Sequence, residues 1–154
     1  MKERLFNAIR NQNLEDVKLI LENRPHFLNE KDERGSTPLL LATYYGYEEI
    51  SAYILSLKPE IDGQDASGNT ALMGVCFKGF NNVAKLLIEN GADVNATNFN
   101  GATALTYAAS FNNPEIADLL LENGADTSIR DHRGLTASDH AKNQGLTDLA
   151  EKLL

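Results

Sequence analysis

The chain repeats itself every 33 residues. Four glycines share this spacing: Gly35, Gly68, Gly101 and Gly134. Each is followed two positions later by a threonine: Thr37, Thr70, Thr103 and Thr136. A fixed period of this length is typical of proteins that stack one small structural unit several times. Because each unit contacts only its neighbours, such a chain offers a partner an extended surface and needs no buried cleft.

The residues around each glycine predict a turn followed by a helix. Asp or Asn stands three residues before each glycine: Asp32, Asp65, Asn98 and Asp131. This is turn chemistry, because Gly readily adopts a positive φ. The threonine is a good helix N-cap, and Pro38 suits the first helical position. A residue that tolerates a left-handed backbone then ends this first helix in every copy: Gly46, Gly79, Asn112 and Gly145.

A second helix follows in each copy, because the apolar residues recur at the spacing of a helix that buries one face. These residues are Ile50, Tyr53 and Ile54, then Val83, Leu86 and Leu87, then Ile116, Leu119 and Leu120. The first helix is shorter and carries small residues that let neighbouring helices approach closely: Ala42, Cys76, Ala108 and Ala109. The sequence therefore predicts stacked pairs of helices joined by turns.

Three places depart from the repeated pattern. Gly74 lies inside a first helix, where it costs about 1 kcal/mol relative to Ala. It either makes room for Tyr107 of the next copy or is a weak point. Lys58 and Pro59 replace the glycine stop of one second helix, and we expect Pro59 to end that helix. In the first copy, the glycine stop is replaced by Arg24-Pro25-His26-Phe27.

The consensus of the ankyrin repeat family is closely matched by two segments, Thr37-Pro38-Leu39 and Gly91-Ala92-Asp93-Val94-Asn95-Ala96. The chain resembles this family over nearly its whole length. The resemblance implies an all-α fold, an α-solenoid of five stacked helix-turn-helix repeats with β-turn or hairpin tips. We expect one domain over 1–154, with an N-terminal capping repeat (1–31), three full repeats (32–64, 65–97 and 98–130) and a C-terminal capping repeat (131–154).

The composition excludes some classes of partner. The chain has 22 Asp and Glu residues against 14 Lys and Arg, a formal net charge of −8. Nucleic-acid binding needs clustered Lys and Arg, so we expect no nucleic-acid partner. The same charge mildly favours a basic protein partner. Cys76 is the only cysteine, and no segment has the pattern of a signal peptide or a membrane helix. We therefore expect a soluble cytoplasmic protein that does not bind membranes.

No set of residues has the spacing of an active site. The three histidines do not form a metal-binding motif, and no glycine-rich phosphate loop is present. His140 lies in the last of the first helices, where a capping or solvated role is expected. Cys76 occupies a position filled by small residues in other copies, so we expect it to pack. We predict no catalytic residue, no bound metal and no cofactor.

Ligands of the ankyrin repeat family lie on the concave face formed by the turns and the first helices. The matching positions are the two residues before each repeated glycine, the residue after it, and the last two before the first-helix stop. Exposed aromatic residues at such positions are typical of interaction sites. The resemblance implies a partner-binding surface that includes Arg34, Tyr44, Tyr45, Asn69, Phe77, Lys78, Phe99, Asn100 and Phe111. Alternatively, Tyr45 and Phe111 fold back onto neighbouring helices and only cover the core.

These observations predict a non-catalytic, monomeric module that binds a protein partner of unknown identity through the concave face. Two alternatives stay open. The chain could be a small enzyme or ligand-binding protein that uses the concave groove. It could also be a subunit that self-associates through Phe99 and Phe111.

Overall fold

The computed structural model describes residues 2–154 as a continuous stack of helices. Met1, with which the predicted N-terminal capping repeat begins, lies outside the described residues. The α-helices are α1 (Lys2–Arg10), α2 (Leu14–Asn23), α3 (Pro38–Tyr44), α4 (Glu48–Ser56), α5 (Ala71–Lys78), α6 (Asn81–Glu89), α7 (Ala104–Ser110), α8 (Pro114–Glu122), α9 (Ala137–Asn143) and α10 (Thr147–Lys152). A 3-10 helix, Pro25–Asn29, follows α2. Residues 2–154 contain no strand.

The helices pack in consecutive pairs, from α1 with α2 to α9 with α10. The first helices of the pairs form one layer, in which α1 contacts α3, α3 contacts α5, α5 contacts α7, and α7 contacts α9. The second helices α2, α4, α6 and α8 form another layer with fewer contacts between neighbours. The predicted all-α solenoid is therefore confirmed, while the bounds of the individual repeats stay a prediction.

The helices are also short. The longest one in the described part of the chain, α2, has 10 residues. A membrane-spanning helix needs about 20 predominantly apolar residues. Within residues 2–154, no helix could therefore cross a membrane.

The predicted N-caps of the first helices are confirmed. Each threonine Oγ1 accepts a hydrogen bond from the backbone N–H three residues later: Thr37 from Leu40 at 3.1 Å, Thr70 from Met73 at 3.3 Å, Thr103 from Thr106 at 3.3 Å, and Thr136 from Asp139 at 3.2 Å. Such a cap contributes about 1 kcal/mol. The predicted left-handed stops are confirmed as well, with positive φ at Gly46, Gly79, Asn112 and Gly145. These local signals fix where each first helix begins and ends.

The core repeats with the same period as the sequence. In the first helices, almost complete burial recurs at Leu39, Leu72 and Leu105. In the second helices, it recurs at Ile54, Leu87 and Leu120. Burying each of these side chains contributes about 1.5–3 kcal/mol. The small residues predicted to allow close helix packing are fully buried too: Ala42, Cys76, Ala108 and Ala109.

The turns that connect the pairs are β-turns, as predicted. Each repeated glycine donates its N–H to the carbonyl of the Asp or Asn three residues earlier, at 2.9–3.0 Å. The second, third and fourth turns are joined directly by backbone hydrogen bonds. Phe99 N–H donates to the Ser67 carbonyl at 3.2 Å, and His132 N–H donates to the Asn100 carbonyl at 2.9 Å. These three turns therefore form a continuous edge along one side of the first helices.

The three departures in the sequence have distinct structural outcomes. The expectation that Pro59 ends α4 is wrong, because the helix already ends at Ser56. Lys58, which stands where other copies have the glycine stop, adopts a left-handed φ of +56°. The 3-10 helix occupies the place of the missing glycine stop in the first copy. At Gly74, a Cβ atom would lie 3.5 Å from Cδ1 of Tyr44, an ordinary contact. Its nearest neighbour is therefore Tyr44 rather than Tyr107.

Candidate functional site

We call the side of the stack formed by the turns and the first helices the inner face. Five aromatic rings are exposed there, with exposed fractions from 38% to 60%: Tyr44, Tyr45, Phe77, Phe99 and Phe111. The ends of the first helices position four of them. Tyr44 is the last residue of α3, Phe77 lies in the last turn of α5, and Phe111 directly follows α7. The fifth ring, Phe99, projects from the third turn.

The tyrosines at the end of α3 form one cluster. The rings of Tyr44 and Tyr45 meet edge to face with centroids 5.7 Å apart, and Tyr45 stacks on Tyr47 at 5.7 Å. The Lys78 ammonium lies 4.9 Å from the centroid of the Tyr44 ring and 5.9 Å from that of Phe80. Lys78 therefore connects this cluster to the following pair of helices.

A second cluster joins the next two first helices. Phe77 meets Phe111 edge to face, with centroids 4.5 Å apart. Tyr107 stacks on Phe111 at 6.4 Å and meets the edge of Phe77 at 6.5 Å. Tyr45 and Phe111 do pack on neighbouring rings, as the alternative reading expected. They nevertheless stay 46% and 49% exposed, so the rings cover the core and face solvent at once.

Asn69 belongs to a hydrogen-bond network across two turns. Its Oδ1 accepts a bond from Asn98 Nδ2 at 2.8 Å and one from the Tyr107 hydroxyl at 3.0 Å. Asn98 is buried, and its Oδ1 also accepts the N–H groups of Asn100 and Ala102. Sequence reasoning missed Asn98 and Tyr107 as members of the site. The recurrence of Asp or Asn at the position of Asn98 in every copy could have indicated that this side chain has a structural role in the turn.

The third turn presents Phe99 and Asn100 side by side. The Phe99 ring and backbone lie against Gly68 of the preceding turn, where no Cβ could be accommodated without movement. The Asn100 carbonyl accepts the N–H of His132 from the following turn. Phe99 and Asn100 are therefore held by both neighbouring turns while their side chains remain exposed.

A cavity of about 430 Å³ opens between the first two turns, α3 and α5. Five of the nine predicted site residues line it: Arg34, Tyr44, Tyr45, Asn69 and Phe77. The other four do not. Lys78 and Phe111 adjoin it through the rings of Tyr44 and Phe77, while Phe99 and Asn100 lie further along the edge of the turns. The structure thus places part of the predicted set around one concavity and spreads the rest along the inner face.

Three titratable groups of the first helices and turns, His140, Asp131 and Cys76, have roles in the fold. His140 Nε2 lies 2.7 Å from Asp131 Oδ2. Burial raises the pKa of Asp131, but hydrogen bonds from His140 and from the N–H groups of Leu135 and Arg133 together lower the pKa below its ordinary value. Cys76 is completely buried, and burial raises the pKa of its thiol. Within residues 2–154, no group of three or more His, Cys, Asp and Glu side chains could hold a metal ion.

A family model described as ankyrin repeats matches the chain in three copies, over residues 5–98, 57–131 and 95–154. Together these matches cover almost all of the described structure. No curated protein matches the chain. Ankyrin repeats are generally protein–protein interaction modules and are typically non-catalytic. With its repeated turns, paired helices and 33-residue period, the chain belongs to the ankyrin repeat family.

Proposed function

We propose that this protein is a non-catalytic interaction module that binds a partner protein through its inner face. The observation that carries the proposal is the distribution of exposed large apolar side chains among the described residues. Five are the aromatic rings of the inner face, whereas the remaining three are the scattered leucines Leu19, Leu57 and Leu154. A contiguous exposed apolar patch is typical of an interaction site, and single exposed leucines are ordinary.

The neighbours of these rings support the proposal. Tyr and Arg are favoured among the residues that dominate binding energy, and both occur beside the cavity. The ring clusters and the Asn69 network hold the surface in place before a partner arrives, which lowers the entropic cost of binding. We propose as contact residues Arg34, Tyr44, Tyr45, Asn69, Phe77, Lys78, Phe99, Asn100 and Phe111.

The experiment compares two variants in capture from a lysate of the source cells, with the bound proteins quantified by mass spectrometry. Tyr44→Ala with Phe77→Ala removes one ring from each aromatic cluster. We expect loss of most partner capture and a rise of at least about tenfold in Kd for the purified partner, since truncating a central aromatic contact costs about 2 kcal/mol or more. Far-UV circular dichroism of the variant should match that of the wild type.

The matched control is Leu19→Ala with Leu57→Ala. These side chains are 51% and 39% exposed, similar to Tyr44 and Phe77, but they lie on α2 and just after α4. The control should retain the partner. Equal capture by both double variants would show that the inner face is not the binding surface.

We further infer that the protein acts as a monomer in the cytoplasm. A reducing compartment suits its single cysteine, which is buried and free. Analytical ultracentrifugation over a concentration series tests this inference, because a monomer keeps the same molecular mass at every protein concentration. A concentration-dependent mass that Phe99→Ala with Phe111→Ala removes would instead support self-association through these rings.

A further inference from the structure

The first residue of each turn uses one side-chain atom to hold the turn closed. In all four turns its Oδ1 accepts two backbone N–H groups, those two and four residues later, at 2.9–3.0 Å. These residues are Asp32, Asp65, Asn98 and Asp131. The second side-chain atom, Oδ2 of Asp or Nδ2 of Asn, is therefore left to bond with a group outside the turn.

The third and fourth turns bond this second atom to their own first helix. Asn98 Nδ2 donates to the Tyr107 hydroxyl at 3.2 Å. Asp131 Oδ2 lies 2.7 Å from His140 Nε2. Both helix residues stand 9 positions after the turn residue. This position of the repeat therefore carries a side chain that reaches back to the turn.

The second turn lacks a donor from either neighbouring helix. In the first turn, Asp32 takes its donor from the preceding helix, where Arg10 Nη2 lies 3.3 Å from Asp32 Oδ2. Tyr44 replaces Arg10 in the next copy, because each stands two residues before the left-handed end of its helix. The Tyr44 ring contacts other side chains, but its hydroxyl bonds to no described residue. Gly74 stands nine positions after Asp65 and has no side chain to reach the turn.

Asp65 Oδ2 is therefore left without a donor from the described part of the chain. Asp65 is half-buried and lines the cavity together with Gly74, Tyr44 and Tyr107. Outside its own helix, a Cβ atom at Gly74 would have only Tyr44 within 4 Å, so open space replaces the side chain of the other copies. Arg34 also lines the cavity but forms no ion pair with Asp65. A gap in the packing and an unbonded carboxylate oxygen thus coincide at one place in the stack.

The chemistry of this place favours a planar cationic donor. The lining as a whole is balanced in charge, with Arg10 and Arg34 against Asp32 and Asp65, so its summed charge favours neither sign. The unbonded oxygen, by contrast, accepts a donor specifically. The pair of Arg10 and Asp32 shows that a guanidinium fits a carboxylate at this position of the turn. A guanidinium also stacks on aromatic rings and is more weakly hydrated than the ammonium of lysine.

We propose that the partner protein inserts an arginine side chain into the 430 Å³ cavity. Its guanidinium donates a hydrogen bond to Asp65 Oδ2 and lies against the rings of Tyr44 and Tyr107, in the gap at Gly74. The partner thereby supplies the bond that the fold supplies in the other three turns. The proposal rests on the proposed function and specifies the chemistry of the partner.

The test selects binders from a phage-displayed library of randomised peptides on the immobilised full chain. We expect enrichment of peptides that share an arginine. A synthetic enriched peptide is then titrated by fluorescence anisotropy, beside the same peptide with citrulline, an uncharged residue of nearly the same shape, in place of that arginine. Citrulline should weaken binding to the wild type about tenfold, since a hydrogen bond between charged groups contributes about this much.

Asp65→Asn removes the carboxylate and keeps the turn, because Asn98 holds the third turn through the same two N–H groups. It should weaken the arginine peptide about tenfold and the citrulline peptide less than about twofold. Glu33→Gln is the matched charge control, because Glu33 is an exposed acid next to the cavity residue Arg34. It should change the affinity less than about twofold. Equal weakening by Asp65→Asn and Glu33→Gln would overturn the proposal.

Gly74→His tests the gap itself. The introduced imidazole should fill the gap and bond to Asp65, as His140 bonds to Asp131 from the same position of the last copy. Binding of the arginine peptide should weaken about tenfold or more, because the same hydrogen bond is lost. Gly74→Ala is the control that leaves most of the gap open, and it should change the affinity less than about twofold. Far-UV circular dichroism should match the wild type for each variant. Undiminished binding to Gly74→His would contradict the proposal.

The failure of this proposal is distinguishable from failure of the proposed function. If the enriched peptides lack arginine but lose binding to Tyr44→Ala with Phe77→Ala, the inner face binds partners and its arginine specificity is refuted. If enriched peptides bind that variant and Asp65→Asn as well as the wild type, both proposals fail. Absence of any enriched sequence would overturn the arginine proposal, while capture from the lysate tests the proposed function separately.

Discussion

Gly68 makes the tightest contact of the four repeated glycines, and Gly68→Ala tests how the turns stack. A Cβ atom at Gly68 would lie 2.7 Å from both the backbone nitrogen and Cδ1 of Phe99. The Phe99 N–H donates to the Ser67 carbonyl, so the backbone cannot move away without losing that bond. Gly134 has nearly the same φ, +79° against +82°, but no heavy atom lies within 4 Å of its Cβ position. Gly134→Ala is therefore a matched control.

The two substitutions share one cost and differ in another. A left-handed φ costs a non-glycine residue about 1 kcal/mol, and this applies at Gly68 and Gly134 alike. Only at Gly68 does the new methyl group overlap a neighbour, and such overpacking costs about 1–3 kcal/mol. We expect Gly134→Ala to lower the free energy of unfolding by about 1 kcal/mol and Gly68→Ala by about 2–4 kcal/mol.

Urea denaturation followed by far-UV circular dichroism measures both values. A third measurement places Gly68→Ala in a Phe99→Ala background, which removes the ring but leaves the backbone nitrogen. Most of the extra cost at Gly68 should persist there. Costs at Gly68 and Gly134 that agree within about 0.5 kcal/mol would refute the inference that neighbouring turns are rigidly stacked. Full relief by Phe99→Ala would show that the ring, rather than the backbone, causes the overlap.

Three further substitutions test local features of the stack. Gly74→Ala should raise the free energy of unfolding, measured by urea denaturation, by about 0.5–1 kcal/mol, because the alanine Cβ would lie at an ordinary contact distance of 3.5 Å from Tyr44. A lower free energy of unfolding would mean that α5 requires glycine at this position. Lys58→Gly should raise the free energy of unfolding by about 0.5–1 kcal/mol, because Lys58 has a left-handed φ of +56° that glycine adopts without strain. Thermal denaturation checks this, and an unchanged midpoint would show that the backbone at Lys58 is not strained. The pKa of Asp131 is lower in the folded state than its ordinary value of 3.8. The ionised carboxylate therefore stabilises the folded state above pH 3.8, and this stabilisation is lost as the pH falls through the lower pKa of the folded state. The stability difference between wild type and Asp131→Asn, measured in urea at several pH values, should therefore shrink below about pH 4, and a constant difference would contradict this.

The features that could be predicted from the sequence are those decided within a few residues. A threonine cap needs only the backbone N–H three positions later, and all four caps form as expected. The left-handed stops and the β-turns are equally local. The exceptions are Gln12 and Lys58, where residues with no preference for a left-handed backbone adopt one anyway. The position of Pro59 gave no indication of the left-handed backbone at Lys58.

The site depends on longer-range contacts, and the sequence predicted it less completely. The hydrogen bond between Asn69 and Asn98 joins residues 29 positions apart, and that between Asn69 and Tyr107 joins residues 38 positions apart. Alignment of the copies identified Asn69 as variable and exposed, but it could not reveal that its side chain is fixed by the next copy. The rotamers of Phe77 and Phe111 are set in the same way, by each other and by Tyr107.

Stability accounts for only part of the aromatic residues on the inner face. An edge-to-face pair such as Phe77 and Phe111 contributes about 0.5–1.5 kcal/mol beyond the area it buries. A smaller aliphatic residue at either position would cover the core beneath with less apolar surface left in water. The rings instead remain between 38% and 60% exposed, and their contacts with one another fix their orientation without hiding them. Rings held in place yet exposed lose little side-chain entropy when a partner buries them, and for this reason we favour binding over packing as their main role.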